Sequence, residues 1–317
     1  MDRIKLLQAR RAKVLEAGKD IRKAVSALTD RDSFVELSGF SFSKNDFYDE
    51  GAEGEGVVTG FATIDGFPAY IVAQNFSVLS GGVSAANCSK ILKCLELAEK
   101  NSTPVVYLLN SLGVQIGEGV TVLEGLASVL AKASRLHGIV PQFAVVCGEV
   151  YGQASLLAAC ADFTFFLKEG ILAANSPLVI SAKSGKNLPK EEVGGADALS
   201  ATNLVGFVKN DISEIRADII KILNVLPFCS AVVFDGENGV ELTAQNVAKV
   251  NSFVEFAGYF ELPFVTFVNT LGIRADLETN GSAVLKNIAK LMENFELLEN
   301  AKISVVYKKA IGLGYTV

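Results

Sequence analysis

Two glycine turns are the stretches of this chain best suited to chemistry. One is Leu112-Gly113-Val114-Gln115-Ile116-Gly117-Glu118-Gly119, and the other is Gly148-Glu149-Val150-Tyr151-Gly152-Gln153-Ala154-Ser155. Each follows an apolar run and opens a stretch with helical character. Glycine permits the backbone angles such turns need and lets a ligand approach the main chain. Unpaired N–H groups at a helix start attract negative charge. Two such turns at neighbouring strand ends can aim two donors at one oxygen. That arrangement is an oxyanion hole, able to stabilise the enolate of a thioester without a histidine. The same spacing also suits two ordinary strand-to-helix connections.

Other chemistries find less support. The chain has one histidine, His137, which excludes a multi-histidine metal site. It falls at the end of a predicted helix, where histidine partners the helix dipole. Gly152-Gln153-Ala154-Ser155 resembles the nucleophile turn of caseinolytic serine proteases. Those enzymes carry a histidine downstream of the serine, and none follows Ser155. No phosphate-binding loop of the Gly-x-x-x-x-Gly-Lys type occurs. The five cysteines (Cys88, Cys94, Cys147, Cys160 and Cys229) form no CxxC pair and sit among apolar neighbours, which reads as buried thiols.

Apolar spacing then places the elements that must hold the turns. Residues 2–29 read as one or two solvated amphipathic helices, and 41–56 as a polar loop. Residues 56–76 read as a hairpin around Asp65-Gly66. A glycine turn and helix follow over 77–101, then a buried strand over 103–111, a helix over 118–136 and a strand over 141–147. The turn GEVYG, a helix over 153–161 and a strand over 162–167 complete the series. After irregular sequence over 175–226, a second series runs strand 230–235, helix 242–259, strand 263–270, helix 280–296 and strand 302–310. Alternating strands and helices indicate an α/β fold with a largely parallel sheet.

The second series repeats the first. Shifted by 159 residues, AANCSKILKCLELAEKNSTPVVYLLNSLGVQ (85–115) falls on AQNVAKVNSFVEFAGYFELPFVTFVNTLGIR (244–274). Asn110, Leu112 and Gly113 coincide with Asn269, Leu271 and Gly272. Shifted by 160, Val145, Val146 and Gly152 coincide with Val305, Val306 and Gly312. Polar, proline and glycine matches in one register mark an internal duplication. The predicted domains are 1–225 and 226–317, the second an incomplete copy.

The chain has 317 residues and a formal net charge of −6, with mean hydropathy +0.35. Scattered basic residues and the absence of tryptophan argue against a nucleic-acid platform. No apolar run is long enough for a membrane span, and the N-terminus is charged from its start. A cytoplasmic protein that buries surplus apolar surface against other subunits is expected.

Taken in order, SFVEL (33–37), GVVTGFATIDGFPAYIVAQNFSVLSGG (56–82), PVVYLLNSLGVQIGEG (104–119), GIVPQFAVVCGEVYGQA (138–154), ADFTFFL (161–167) and EEVGGA (191–196) resemble the carboxyltransferase subunits of biotin-dependent acyl-CoA carboxylases and decarboxylases. PFVTFVNTLGI and KISVVYKKAIGLGY resemble that family's second domain. The resemblance runs from about residue 30 to the end. It implies a crotonase-type ββα spiral, duplicated, with acyl-CoA bound by the first half. Biotin would be bound by the second half and carried on a separate protein rather than attached here. It further implies enolate-like intermediates, sites shared across a homodimer or dimer-based oligomer, and partners that carry and charge biotin. By position, the first oxyanion hole would use the N–H groups of Val114 and Gln153, with Gly113 and Gly152 shaping the turns. The biotin side would use Gly272, Ile273, Gly312, Leu313 and Gly314. The chain departs from the family pattern at Leu112 and Gln153, where glycine is usual, and at Gln115, where arginine is usual. Asn87, Asn269, Leu271 and Leu313 also differ. Gln153 and Leu313 are large enough to fill the space of a thioester or biotin. An alternative reading is a non-catalytic member that serves as an assembly subunit.

Overall fold

A computed structural model describes residues 3–41, 52–200, 202, 204–226, 230–234, 238–280 and 282–312. The chain divides into two compact units, one holding Met1–Ser200 and Leu204–Ile220, the other chiefly Lys221–Val317.

In chain order the elements are α1 (Arg3–Ala17), α2 (Lys19–Leu28), β1 (Val35–Leu37), β2 (Val57–Ile64), β3 (Phe67–Gln74), α3 (Ala85–Lys100), β4 (Val105–Ser111), α4 (Val120–Leu136) and β5 (Gln142–Tyr151). They continue with α5 (Leu156–Cys160), β6 (Phe163–Leu167), β7 (Ile171–Ala173), α6 (Pro177–Ser184), α7 (Lys190–Gly194), β8 (Phe207–Lys209) and α8 (Ile212–Val225). The later series is β9 (Ser230–Phe234), β10 (Val240–Leu242), α9 (Ala244–Tyr259), β11 (Phe264–Ile273), α10 (Leu277–Asn280), α11 (Val284–Leu297) and β12 (Lys302–Ala310).

The first unit is built on a sheet in the order β1-β2-β3-β4-β5-β6-β8, with β7 paired to the end of β5. The β2–β3 hairpin is antiparallel, and the pairings from β3 through β8 are parallel. Asp65 and Gly66 take positive φ angles at the hairpin tip, as that two-residue turn requires. Strand β4 is buried along nearly its whole length, because parallel strands at a sheet centre are covered on both faces. Its residues Val105, Tyr107 and Leu109 join one core with Ile91 and Leu95 of α3 and Leu126 and Val129 of α4. Asp30 ties down the hairpin: its carboxylate accepts from the N–H groups of Asp65 and Gly66, the Thr63 hydroxyl and Arg216 of α8.

The second unit repeats this plan at the level of single hydrogen bonds. Ser84 caps α3 by accepting from the Asn87 N–H, and Thr243 caps α9 by accepting from the Asn246 N–H. Both helices have 16 residues. Each is followed by a non-glycine residue of positive φ, Ser102 at 48° and Glu261 at 52°. Val105 of β4 pairs with Gln142 of β5, and Phe264 of β11 pairs with Lys302 of β12. The register then slips between Leu109 and Ser111, and again between Val268 and Thr270. The duplication read from the sequence is therefore a structural one. Among the described residues, the second sheet consists of β9 to β12, counterparts of β3 to β5, with β10 matching the extended residues at Val83.

One boundary differs from the sequence reading. Strand β5 runs on to Tyr151, so most of GEVYG is extended rather than turned, held by pairing with β7. Helix α3 begins at Ala85, and residues 79–81 form a left-handed turn before it. Most of the predicted loop over 41–56 lies outside the described residues.

Candidate functional site

The two predicted turns of the first unit lie side by side. Strands β4 and β5 are neighbours, and both turns leave their C-terminal ends, where parallel sheets present their ligand crevices. An added Cβ on Gly113 would lie 3.7 Å from the Tyr151 carbonyl oxygen, so the glycine of one turn abuts the backbone of the other.

The path through the first turn commits every neighbouring amide. Leu112 N–H donates to the Ser80 carbonyl at 3.2 Å. Gly113 N–H donates to Ser111 Oγ at 3.2 Å, closing a small hydroxyl-capped turn. Gln115 N–H donates to the Val83 carbonyl at 2.9 Å, and Val83 N–H donates to the Gly113 carbonyl at 2.9 Å. The last bond sets the direction of the Val114 amide. The Gly113 carbonyl and Val114 N–H share one planar trans peptide, so they point opposite ways. The carbonyl points to Val83, which follows β3 in sequence. The N–H therefore points away from Val83, to the side where β5 ends.

At the end of β5 a short 3-10 turn, Gly152–Ser155, begins with Gly152 at φ 65°. The first N–H groups of such a turn lack an internal acceptor, and Gln153 supplies one of them. Gln153 itself is an exposed residue. The Ser155 hydroxyl donates to the Gly152 carbonyl at 2.7 Å, which commits it to holding the turn. Just before the turn, Tyr151 donates through its hydroxyl to Glu149 at 2.8 Å, and Lys190 donates to the other Glu149 oxygen at 2.8 Å. The Lys190 hydrogen bond holds the Glu149 carboxyl below its usual range, while burial and Glu149 push the Tyr151 phenol up.

The second unit reproduces the backbone of the first turn. Gly272 N–H donates to Thr270 Oγ1 at 3.1 Å, as Gly113 does to Ser111. Ile273 pairs with Leu242, and Arg274 N–H donates to the Leu242 carbonyl at 3.0 Å, as Gln115 does to Val83. An added Cβ on Gly272 would lie 2.9 Å from the Ile311 carbonyl oxygen, the counterpart of Tyr151. Gly312 has φ 58°, matching Gly152. Gly272, Ile273 and Gly312 are thus brought together at the ends of β11 and β12. Leu313 and Gly314 lie outside the described residues.

The remaining candidates fall away from these turns or are committed to structure. His137 Nδ1 lies 2.8 Å from Asp162, whose other carboxylate oxygen accepts from the Gln142 N–H at the start of β5. About 30 Å of strand separates that end from Gly152. Burial pushes the thiols of Cys88, Cys94 and Cys147 up to about 12, so they are neutral at ordinary pH. No group of three or more metal-binding side chains occurs among the described residues. No helix there is long and apolar enough to cross a membrane.

Two participants escaped the sequence reading. The hydroxyls of Ser111 and Thr270 lie between the repeated Asn and Leu-Gly residues, with nothing local to mark them as acceptors. The side chain of Gln115 donates to the Leu79 carbonyl at 3.1 Å, a tertiary contact with no local signal.

Known proteins are similar to this chain. The carboxyl transferase domain family matches residues 13–232 and 231–317. The propionyl-CoA carboxylase beta chain of Roseobacter denitrificans is 33% identical over 212 residues, covering 65% of this chain and 41% of that protein. The methylmalonyl-CoA decarboxylase subunit alpha of Veillonella parvula is 25% identical over 406 aligned positions, covering 99% of this chain and 79% of that protein. Those positions outnumber the residues here, so that relative carries segments this chain lacks. The transcarboxylase 12S structure, with methylmalonyl-coenzyme A and methylmalonic acid bound, superimposes with a TM-score of 0.87 at 23% identity. It covers 98% of this chain and 78% of that one, and it shows the fold to be the crotonase-type ββα spiral of carboxyltransferases.

Proposed function

Because the chain belongs to the carboxyl transferase domain family, we propose that it moves a carboxyl group between carrier-borne biotin and a small acyl-CoA. The observation that carries this reading is the direction of the Val114 amide, set by the Gly113–Val83 bond and aimed to the side where Gln153 opens its turn.

On this reading the thioester oxygen accepts from Val114 N–H and Gln153 N–H. Charge gathers on that oxygen as the α-carbon takes up or releases the carboxyl group. Fixed amides stabilise it there without reorganising, an effect worth roughly 10²–10³ in rate for one donor. Gly113 and Gly152 serve by holding left-handed angles, which explains their place in a site with no side-chain catalyst. Glu149, Tyr151 and Lys190 brace the end of β5 beneath the second donor.

By analogy, the repeated turn of the second unit would take the ureido group of biotin. Gly272 and Gly312 shape it, and Ile273 presents its amide as Val114 does. Bound there, biotin would supply the nitrogen that carries the carboxyl group. Carrier and biotin-charging activities reside on partner proteins, and the family's dimers set the expected assembly. The domain boundary near residue 225 divides the acyl-CoA half from the biotin half. An assembly-only role is disfavoured by the similarity to carboxyltransferases such as the propionyl-CoA carboxylase beta chain.

The test is carboxyl transfer from methylmalonyl-CoA to free biotin by the purified chain. Transfer that is lost in Gly113→Val supports the reading. Transfer at the same rate in that variant would refute it.

A further inference from the structure

Residues 79–82 make the turn before α3, and they do so in an unusual way. Leu79, Ser80 and Gly81 have φ angles of 51°, 52° and 64°. Two successive non-glycine residues in the left-handed region are disfavoured and persist only where surrounding contacts impose them. Here the contacts come from the Val114 turn. The Ser80 carbonyl accepts from Leu112 N–H at 3.2 Å, and the Leu79 carbonyl accepts from Gln115 Nε2 at 3.1 Å. Gly81 sits against the Asn110 carbonyl, where a Cβ would collide. Gly82 leaves the seat for the Gln115 amide, since a Cβ there would collide with Nε2. The two donors, at 112 and 115, bracket Gly113 and Val114.

We infer that Gln115 is a positioning residue: its side chain clamps the left-handed Leu79–Gly82 turn onto residues 110–115 and so fixes the aim of the Val114 amide. Gln115 touches no reacting atom. It acts through the backbone, by making the two loops one rigid body on the face opposite the thioester. The inference rests on the oxyanion reading of Val114 given above.

The experiment compares the full chain with Gln115→Glu, which keeps the size of the side chain and removes the donor, and with Gln115→Lys, which restores one. Gln115→Ala serves if the glutamate variant fails to fold. Two readouts are taken: carboxyl transfer from methylmalonyl-CoA to free biotin, and amide hydrogen exchange at Leu112 and Gln115. We expect kcat to fall about tenfold in Gln115→Glu with KM for the thioester within twofold, as for a slightly misplaced donor. Exchange at the two amides should rise about tenfold, and Gln115→Lys should recover most of both. Unchanged exchange together with unchanged kcat would overturn the clamp. Faster exchange with unchanged kcat would instead overturn the oxyanion role of Val114 on which the clamp depends.

Discussion

At the scale of residues, the proposed site is made of backbone, and side chains matter by what they do to it. The Ser111 and Thr270 hydroxyls occupy the glycine amides at 113 and 272, so that the next amide is the one offered. Gly152 matters through conformation alone. It has φ 65°, and nothing lies within 4 Å of where its Cβ would be. A β-branched side chain should therefore be penalised where asparagine, which tolerates the left-handed region, is not. We predict that Gly152→Val lowers stability by about 1–3 kcal/mol and Gly152→Asn by less than about 1 kcal/mol. Thermal denaturation of the two variants checks this, and equal losses would indicate a steric rather than a conformational role. The glycines were legible in the sequence because their spacing is shared by both halves. The Gln115–Leu79 contact was not, because it joins residues 36 apart and neither Leu79 nor Ser80 is a residue type that signals a left-handed turn.

At the scale of elements, the long periodic segments and the five-residue strands β6 and β9 were read correctly, and the three-residue strands β7 and β8 were not. The hairpin around Asp65-Gly66, the helix α3 and the strands β4 and β11 follow from apolar pattern and turn chemistry. The three-residue strands β7 and β8 owe their existence to pairing with β5 and β6, which no local window contains. Asp30 shows how such distant elements are joined. Hydrogen bonds from Gly66, Thr63, Asp65 and Arg216 hold its carboxyl well below the ordinary value of 3.8. A depressed folded-state value means the stabilisation is present above the unfolded pKa and is lost as pH falls below it. We predict that Asp30→Asn costs about 1.5–3 kcal/mol at pH 7, the range for hydrogen bonds to a charged group. The gap between the variant and the parent chain should narrow as the pH falls from 5 to 2. Melting temperatures measured across that range decide the matter, and a gap independent of pH would show that the charge of Asp30 is not what joins hairpin and helix.

At the scale of the whole molecule, a single α/β module has been used twice, and the repeat extends to caps, bulges and turn hydrogen bonds. Its two shifts, 159 residues through α3 and β4 and 160 through β5, have a physical origin. The intervening helices α4 and α11 differ in length, 17 against 14 residues, and the short α10 precedes α11, so the one extra residue falls in the connection rather than in the sheet. On the proposed reading, the duplication lets one fold serve two oxygens, that of a thioester and that of a ureido group, with the same backbone device. The two turns should then be separable. Replacing Val114, and separately Ile273, by its α-hydroxy acid analogue exchanges one amide N–H for an ester oxygen and leaves the side chain in place. The decisive measurement is the infrared carbonyl stretch of propionyl-CoA labelled with carbon-13 at the thioester and bound to each protein. The parent chain and the Ile273 ester should both shift that band to lower frequency than in free propionyl-CoA, and the Val114 ester should lose the shift. A shift that survives in the Val114 ester would contradict the assignment of this amide as an oxyanion donor.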